Sequence, residues 1–326
     1  MHDYRYVITE RLYMLDICLL GTGGMMPLPN RYLTSLMVRY NGSAILIDCG
    51  EATQIAMKKR GWSPRQIDVI CITHFHADHI SGLPGLLLSM GNADRTEDVL
   101  MIGPKGLQRV AESLMVITPR LPFSLRFLEI DGAQESFVMD KQLMPGMAVT
   151  AFKVRHNMTC YGYRLDLARI GRFDVEAAKA QGIEQRYWNR LQKGDTIRTE
   201  DGRTFTPDMV LGAPRKGLRV TYVTDTRPTE SIEKNAQGAD LFICEGMYGE
   251  ADKKEKAKEH MHMMMQEAAR IAVKAKPKEL WLTHYSPSMM NPGEFHPALK
   301  QIFPRTVTAR DGRMVTLRYE DEEARD

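Results

Sequence analysis

The sequence predicts an α/β fold in which β-sheets are packed between layers of helices. Short apolar runs rich in β-branched residues recur along the chain, separated by turn residues and by helical segments. The strand-like runs predominate, and their alternation with helices is too irregular for a doubly wound parallel sheet. Sheets with helices on their outer faces accommodate both observations.

The first half of the chain supplies the most regular part of this pattern. Residues 36–40 and 44–48 flank Asn41-Gly42, a dipeptide typical of two-residue turns, and therefore predict a hairpin. Residues 67–73 are a β-branched apolar run that predicts a buried strand. Further strands are expected at 15–20 and 99–102, and helices at 52–60, 83–90 and 107–115.

The second half continues the alternation around one atypical region. Buried strands are predicted at 220–224, 241–244 and 280–283. One long charged helix is predicted at about 251–274. Residues 163–218 are polar, turn-rich and basic, with 11 Lys and Arg against 8 Asp and Glu. We expect them to form an arm inserted into one domain spanning 14–326, after an N-terminal extension at 1–13.

The bulk composition is that of a globular protein and singles out no partner. The apolar fraction is 43%, the charged fraction 26% and the formal net charge +3. No run approaches the roughly 20 apolar residues that span a bilayer, and residues 1–10 lack the apolar core of a signal peptide. We therefore expect a cytoplasmic protein with no membrane partner. The five scattered cysteines predict buried free thiols.

Four potential metal ligands lie within six residues, at the end of the buried strand predicted at 67–73. They are His74, His76, Asp78 and His79. His74 and His76 are two residues apart, so an extended backbone directs both of their rings to the same side. The chain then turns, which lets Asp78 and His79 face a second point. Imidazole and carboxylate groups are good zinc ligands, and desolvating such a cluster without a metal would be costly. The segment therefore predicts a metal centre.

Three further candidate ligands follow predicted strands elsewhere in the chain. They are His156, Asp225 and His284, and each alone would be a weak signal. Together with the cluster they supply the ligands that a two-metal site requires. Two metal ions about 3.5–4 Å apart can activate water and stabilise a phosphoryl displacement. Manganese and iron stay open as alternatives to zinc, because imidazole suits several metals.

Longer segments of the chain resemble one known family. Residues 73–79, the Gly-Leu-Pro-Gly-Leu segment at 82–86 and the Asp-Cys-Gly-Glu-Ala-Thr-Gln segment at 48–54 resemble the signature of ribonuclease Z, the tRNA 3′-processing endonuclease. The similarity covers nearly the whole chain after Met14. It implies a metallo-β-lactamase fold, which is an αββα four-layer sandwich, with an inserted substrate-binding arm. It also implies cleavage of the 3′ trailer from precursor tRNA, leaving a 3′-hydroxyl.

The resemblance also implies a role for each candidate ligand. Two zinc ions per subunit would each be held by three ligands and joined by a bridging carboxylate. The first set is His74, His76 and His156, the second is Asp78, His79 and His284, and the bridge is Asp225. Asp78 is implied as the general base on the attacking water as well.

A further implied pair would protonate the leaving oxygen. His262 falls where the family has such a histidine, and Glu245 where it has a glutamate that pairs with the histidine. A carboxylate orients an imidazole and raises its basicity, which suits a proton donor. The setting of the glutamate departs from the family, since Cys-Glu-Gly-Met at 244–247 replaces His-Glu-Ala-Thr. By sequence alone, His262 is also interpretable as a solvated residue of the charged helix.

The arm departs from the family at its tip. Residues 182–188 lack the Gly-Pro pair with which the family grips the tRNA elbow, although the length and the basic character persist. Two interpretations stay open here. Arg186, Tyr187, Trp188 and Arg190 contact RNA phosphates and bases, or the two aromatic residues pack inside the arm. A homodimer is implied too, in which the arm of one subunit holds tRNA for the other.

Three functions remain to be compared. The first is a zinc-dependent endonuclease acting on precursor tRNA. The second is a zinc phosphodiesterase acting on small phosphoesters or other RNA, which the altered tip favours and the basic arm opposes. The third is a non-catalytic RNA-binding relative, which has no physical need for seven intact ligand positions. We predict the first.

Overall fold

Two seven-stranded β-sheets dominate the residues that the computed structural model describes, 14–118 and 120–320. The N-terminal extension predicted at 1–13 lies outside these residues. The strands are β1 (Met14–Gly21), β2 (Ser35–Tyr40), β3 (Ser43–Ile47), β4 (Ile67–Cys71), β5 (Val99–Pro104), β6 (Leu125–Ile130), β7 (Gln134–Val138), β8 (Met147–Arg155), β9 (Thr159–Arg169), β10 (Ile197–Arg198), β11 (Thr204–Phe205), β12 (Arg215–Val223), β13 (Leu241–Glu245), β14 (Leu280–Thr283), β15 (Thr306–Thr308) and β16 (Arg313–Arg318). The first sheet has the order β16-β1-β2-β3-β4-β5-β6, the second has the order β15-β14-β13-β12-β9-β8-β7, and β10 and β11 form a separate hairpin.

Helices connect the strands and cover the sheets. Within the described residues they are α1 (Thr53–Lys59), α2 (Ala77–Ile80), α3 (Leu83–Gly91), α4 (Leu107–Met115), α5 (Val175–Ala180), α6 (Gln185–Gln192), α7 (Glu230–Ala236), α8 (Lys254–Glu259), α9 (Met265–Ala275) and α10 (His296–Ile302). Short 3₁₀ turns lie at Pro64–Gln66, Pro207–Met209, Ala251–Lys253 and Pro292–Phe295. Over the described residues, no helix has the length and apolar character needed to cross a membrane.

The sheets and helices form four layers. One apolar cluster joins α1, α3 and α4 to the first sheet, and a second joins α7, α9 and α10 to the second sheet. Alternate residues of the same strands, such as Leu19 and Val38, are buried as well, so both faces of these strands lie in the interior. The Tyr163 hydroxyl on β9 donates to the Ile72 carbonyl after β4 at 2.8 Å, which links the two sheets directly. The predicted αββα sandwich is therefore confirmed.

The hairpin predicted around Asn41-Gly42 is confirmed as well. β2 and β3 are antiparallel, with Tyr40 opposite Ser43. Asn41 and Gly42 have φ values of 52° and 84°. Positive φ at both central residues matches the twist of the flanking strands, which is why this dipeptide is a strong hairpin signal.

The single long helix predicted at about 251–274 is wrong. The structure has two helices, α8 and α9, separated by residues 260–264. Met261 leaves the helix with a φ of 61°, and His262, Met263 and Met264 that follow are all buried. The left-handed conformation of Met261 takes the chain off the helical path, so the side chains that follow turn into the interior instead of continuing the exposed charged face of α8.

Leu167–Leu218 form a compact unit of their own, and the rest of the described chain forms the other. Residues 163–166, which the sequence assigned to the arm, lie in strand β9 outside this unit. The unit has a small core of Ala178, Ile183, Leu191, Ile197, Phe205 and Val210. Tyr187 and Trp188 are partly buried against that core, and Trp188 Nε1 donates to the Ile183 carbonyl at 2.9 Å. These contacts favour the packing interpretation of the two aromatic residues.

Candidate metal centre

The candidate ligands gather where strands end. β8 ends one residue before His156, β12 two residues before Asp225, and β14 one residue before His284. The His74–His79 segment follows β4 in the other sheet. Loops at the carboxyl ends of parallel strands open at one edge of a sheet, which is where a rigid scaffold holds polar groups in a fixed array.

The first set of donor atoms comprises three imidazoles and one carboxylate. His76 Nδ1 lies 3.0 Å from His74 Nε2 and 3.3 Å from His156 Nε2. Asp225 Oδ2 lies 3.5 Å from His74 Nε2 and 3.7 Å from His156 Nε2. All four donor atoms lie within 4.8 Å of one another, close enough to surround a single ion.

The second set adjoins the first through the other oxygen of Asp225. His79 Nε2 lies 3.1 Å from His284 Nε2. Asp78 Oδ2 lies 3.5 Å from His79 Nε2 and 3.3 Å from His284 Nε2. Asp225 Oδ1 lies 3.2 Å from His79 Nε2 and 3.0 Å from His284 Nε2. The structure therefore brings all seven predicted ligands together as two sets that share Asp225.

These contacts fit bound cations. Imidazole nitrogens about 3 Å apart direct lone pairs toward one point, which is unfavourable unless a positive charge lies between them. Asp225 Oδ1 is buried and, although two ring nitrogens lie within 3.2 Å of it, accepts no hydrogen bond of regular geometry from the described residues. Buried oxygens are rarely left without a partner, and a metal ion would supply one. The arrangement of donor atoms therefore suits a divalent metal ion.

Burial and charge prepare the two sets differently. Burial holds the pKa of His74 well below its usual value and lowers the pKa of His76 and His156, so these rings are neutral and offer lone pairs. For His284, burial alone would lower the pKa, but the carboxylate of Asp225 outweighs it and raises the pKa to about 10. The same balance raises the pKa of His79. A cation in the second set therefore competes with protons.

Asp48 belongs to the site but was not among the predicted site residues. Its carboxylate is buried after β3 and accepts hydrogen bonds from His79 Nδ1 at 2.8 Å and from the Thr73 N–H at 2.8 Å. The Thr73 hydroxyl, also bonded to Asp48, lies 3.0 Å from His74 Nδ1. Asp48 thus orients one ring of each set. Its place at the end of a predicted strand, like that of Asp225, was the signal that could have found it.

Three residues of the site have left-handed backbone conformations. The φ values are 60° for Asp48, 36° for Asp225 and 56° for His284. Such conformations are unfavourable for residues other than glycine and persist only where the surrounding structure holds them. These conformations lower the local stability of the loops but direct the three side chains toward the metal centre.

The predicted pair of His262 and Glu245 lies beside both sets. His262 Nδ1 is 3.1 Å from Glu245 Oε2, and the other oxygen of this buried glutamate accepts the Thr226 N–H at 2.5 Å. The His262 ring lies 5.7 Å from that of His284. Burial would lower the pKa of His262, but the charge of Glu245 outweighs it and raises this pKa. His262 is only 8% exposed, which contradicts its interpretation as a solvated helix residue.

Comparisons with known proteins agree with this architecture. Residues 171–285 match a family model described as a beta-lactamase superfamily domain, and residues 15–116 match one described as anti-Pycsar protein Apyc1. The short form of human tRNase Z is similar in structure, with a TM-score of 0.65 and 23% identity over 92% of this chain and 98% of that one. The metallo-beta-lactamase fold protein YhfI from Bacillus subtilis also has a TM-score of 0.65, at 19% identity over 94% and 100% of the two chains. The predicted metallo-β-lactamase fold is therefore confirmed.

Sequence similarity identifies the family more closely. The ribonuclease Z of Lachnospira eligens is 56% identical to this chain over 309 residues, which are 95% of this chain and 100% of that relative. The alignment spans the whole of that relative and nearly all of this chain. The chain therefore belongs to the ribonuclease Z family.

Proposed function

We propose that this protein is a zinc-dependent endoribonuclease that cleaves the 3′ trailer from precursor tRNA and leaves a 3′-hydroxyl. The observation that carries the proposal is the pair of ligand sets joined by Asp225, with His262 and Glu245 beside them. Membership of the ribonuclease Z family supports precursor tRNA as the substrate. A homodimer and a cytoplasmic location stay predictions.

Two zinc ions, one for each ligand set, suit the donors that are present. Imidazole nitrogens and carboxylate oxygens are common zinc ligands. His74, His76 and His156 would hold one ion, Asp78, His79 and His284 the other, and Asp225 both. When bound, such ions lower the pKa of water to about 7 and stabilise the attacking and leaving oxygens of a phosphoryl displacement.

In this proposal, Asp78 accepts a proton from the attacking water and His262 donates one to the leaving oxygen. Burial would raise the pKa of Asp78, but His79 and His284 hold it well below its usual range, so the carboxylate is ionised. Its side chain is 10% exposed, which leaves it accessible to an attacking water. His262, whose pKa is raised by Glu245, would donate a proton to the leaving oxygen.

The smaller unit supplies charge suited to RNA. Leu167–Leu218 contain 10 Lys and Arg against 7 Asp and Glu. Because Tyr187 and Trp188 pack inside this unit, we propose that it contacts phosphates through its exposed basic side chains. Arg186 and Arg190 are 67% and 59% exposed, and their surface ion pairs with Glu184 and Asp195 are weak enough to exchange for phosphate.

A paired assay tests the proposal. The zinc-loaded protein is given a precursor tRNA with a 3′ trailer and, separately, bis(p-nitrophenyl) phosphate. We expect the trailer to be released with a 3′-hydroxyl on the tRNA, and His76→Ala to abolish the cut. His260→Ala, which changes an exposed histidine at the end of α8, is the matched control. Hydrolysis of the small diester with an intact precursor would favour the small-ester phosphodiesterase instead.

A further inference from the structure

Arg227 connects the loop after β12 with the loop that carries His262. Its Nη1 donates to the carbonyl oxygen of His262 and to Glu267 Oε2 at 3.0 Å, and its Nη2 donates to Glu267 Oε1 at 2.5 Å. Glu267 Oε2 also accepts the N–H of Met264 at 2.9 Å. One ion pair therefore holds the backbone of the 260–264 loop at two points, His262 and Met264.

The 260–264 loop depends on such support because it lies outside both helices. Met261 has a φ of 61°, which ends α8, and α9 begins only at Met265. The His262 N–H bonds back to the Ala257 carbonyl at 2.7 Å, whereas the His262 carbonyl is capped by Arg227. Glu245 holds the ring of His262 and Arg227 holds its backbone.

The ion pair is largely removed from water. The side chains of Arg227 and Glu267 are 14% and 18% exposed. A planar guanidinium that meets a carboxylate with two parallel hydrogen bonds fixes direction as well as distance. Removing one partner of such a pair leaves the other charge uncompensated, so the loop would be expected to shift.

The backbone of Arg227 adds a third connection. Its N–H donates to the Arg155 carbonyl at 2.9 Å, and Arg155 immediately precedes His156. Asp225 lies two residues before Arg227 in the same loop. Arg227 therefore couples the segments that carry two of the ligands to the segment that carries His262.

We propose that Arg227, paired with Glu267, is a positioning residue that holds the His262 imidazole at the leaving oxygen. The inference rests on the proposed function, in which His262 donates the proton. Arg227 acts through His262 and not on the RNA. Misplacing a catalytic group by about 1 Å can lower a rate on the order of 100-fold. Loss of Arg227 should therefore reduce kcat with little change in KM.

Replacing the leaving oxygen by sulfur distinguishes a misplaced proton donor from a general loss of activity. One precursor tRNA carries the natural 3′-oxygen at the scissile linkage, and a second carries sulfur in its place. A thiolate leaves without a proton, so a defect in proton donation should disappear with the second substrate. We expect Arg227→Met to lower kcat roughly 30- to 100-fold on oxygen and less than about 3-fold on sulfur. Arg227→Lys should recover part of the lost kcat, because lysine keeps the positive charge but cannot make two parallel hydrogen bonds to the carboxylate.

A neighbouring arginine provides the matched control. Arg219 lies on β12 and its side chain donates to Asp166 at 2.7 Å and to the Gln237 carbonyl at 3.2 Å, partners that do not belong to the His262 loop. Arg219→Met should leave the ratio of the oxygen and sulfur rates unchanged. Adding Arg227→Met to His262→Ala should cause no further loss on the oxygen substrate, since the group that Arg227 positions is already absent.

Three results would overturn the inference: an equal loss on both linkages, loss of bound zinc from Arg227→Met, or additive losses in the double variant. If Arg227→Met does not fold, Glu267→Gln is tested in the same way, and it too must show a selective loss on oxygen. If the wild-type protein leaves both precursors intact, the proposed function has failed. The role of Arg227 is then judged by comparing a dinucleotide with bis(p-nitrophenyl) phosphate, whose leaving group needs no proton.

Discussion

The buried carboxylate of Asp48 lies 2.8 Å from Nδ1 of His79, while Nε2 of the same ring faces the second ligand set. This arrangement fixes the tautomer of the ring and increases the basicity of the nitrogen that faces the metal. The functional unit of the site therefore extends beyond the seven candidate ligands to the residue that aims one of them.

Asp48→Asn should weaken zinc binding about 10- to 100-fold, because an uncharged amide holds the His79 ring less firmly and polarises it less. Competition with a chromophoric chelator measures this affinity. Asp16→Asn, which changes a partly exposed carboxylate paired with Arg39, is the control and should bind zinc normally. An unchanged affinity in Asp48→Asn would show that the contact with His79 is not needed for metal binding.

The two ligand sets should lose metal separately. His156→Ala removes a donor from the first set only, and His284→Ala removes one from the second set only. Asp225→Ala removes a donor from both, because its two oxygens face different sets. Elemental analysis of purified protein should therefore show one lost equivalent of zinc in each single-set variant and more in Asp225→Ala. Loss of both equivalents from every variant would mean that the sites fill only together.

Gly24→Ala should damage the second set without changing a ligand. A Cβ at Gly24 would lie 2.7 Å from the His284 ring, whose position it would have to displace. We expect a loss of at least about 10-fold in activity and weaker binding of one zinc ion, by analogy with other shifts of catalytic groups. Gly212→Ala is the control, since its Cβ would meet nothing closer than 3.6 Å. Normal activity of Gly24→Ala would indicate that this loop moves easily.

Removing the metal should destabilise the fold. Without a cation, the buried Asp225 Oδ1 has no well-directed hydrogen bond, and the imidazole nitrogens of each set face one another. A ligand at 100 times its Kd stabilises the folded state by about 2.7 kcal/mol, so a chelator should lower the Tm measurably. Calorimetry with and without EDTA checks this, and the difference should shrink in Asp225→Ala. An EDTA effect of equal size in that variant would point to a metal bound elsewhere.

Shortening the arm should separate RNA cleavage from hydrolysis of a small ester. The Gly212 N–H donates to the Arg172 carbonyl at 2.9 Å, so an Asn-Gly turn can replace residues 173–211 between these two points. Cleavage of precursor tRNA should fall steeply through a higher KM, while bis(p-nitrophenyl) phosphate is still hydrolysed. A variant that retains the arm with Arg186→Gln and Arg190→Gln should show a smaller effect in the same direction. Equal losses on both substrates would contradict an RNA-binding role for this unit.

Most of the scaffold was accessible from the sequence because its signals are local. The hairpin at Asn41-Gly42 follows from the backbone preferences of two residues, and α4 was predicted at its observed bounds. The helix predicted over 251–274 failed for the opposite reason. Its charged pattern continues into α8 and α9, but tertiary burial of His262 and the adjacent methionines interrupts it.

The residue types alone predicted a metal centre, because His74 and His76 share a side of one short segment, and His156, Asp225 and His284 each follow an apolar strand. The residues that hold those ligands in place are identified by the folded structure. Asp48 meets His79 across 31 positions, and Arg227 meets Glu267 across 40. Such contacts depend on how strands and loops pack in space, and no local spacing records them. The residue types therefore predicted the metal ligands, whereas the residues that orient them were found from the packing.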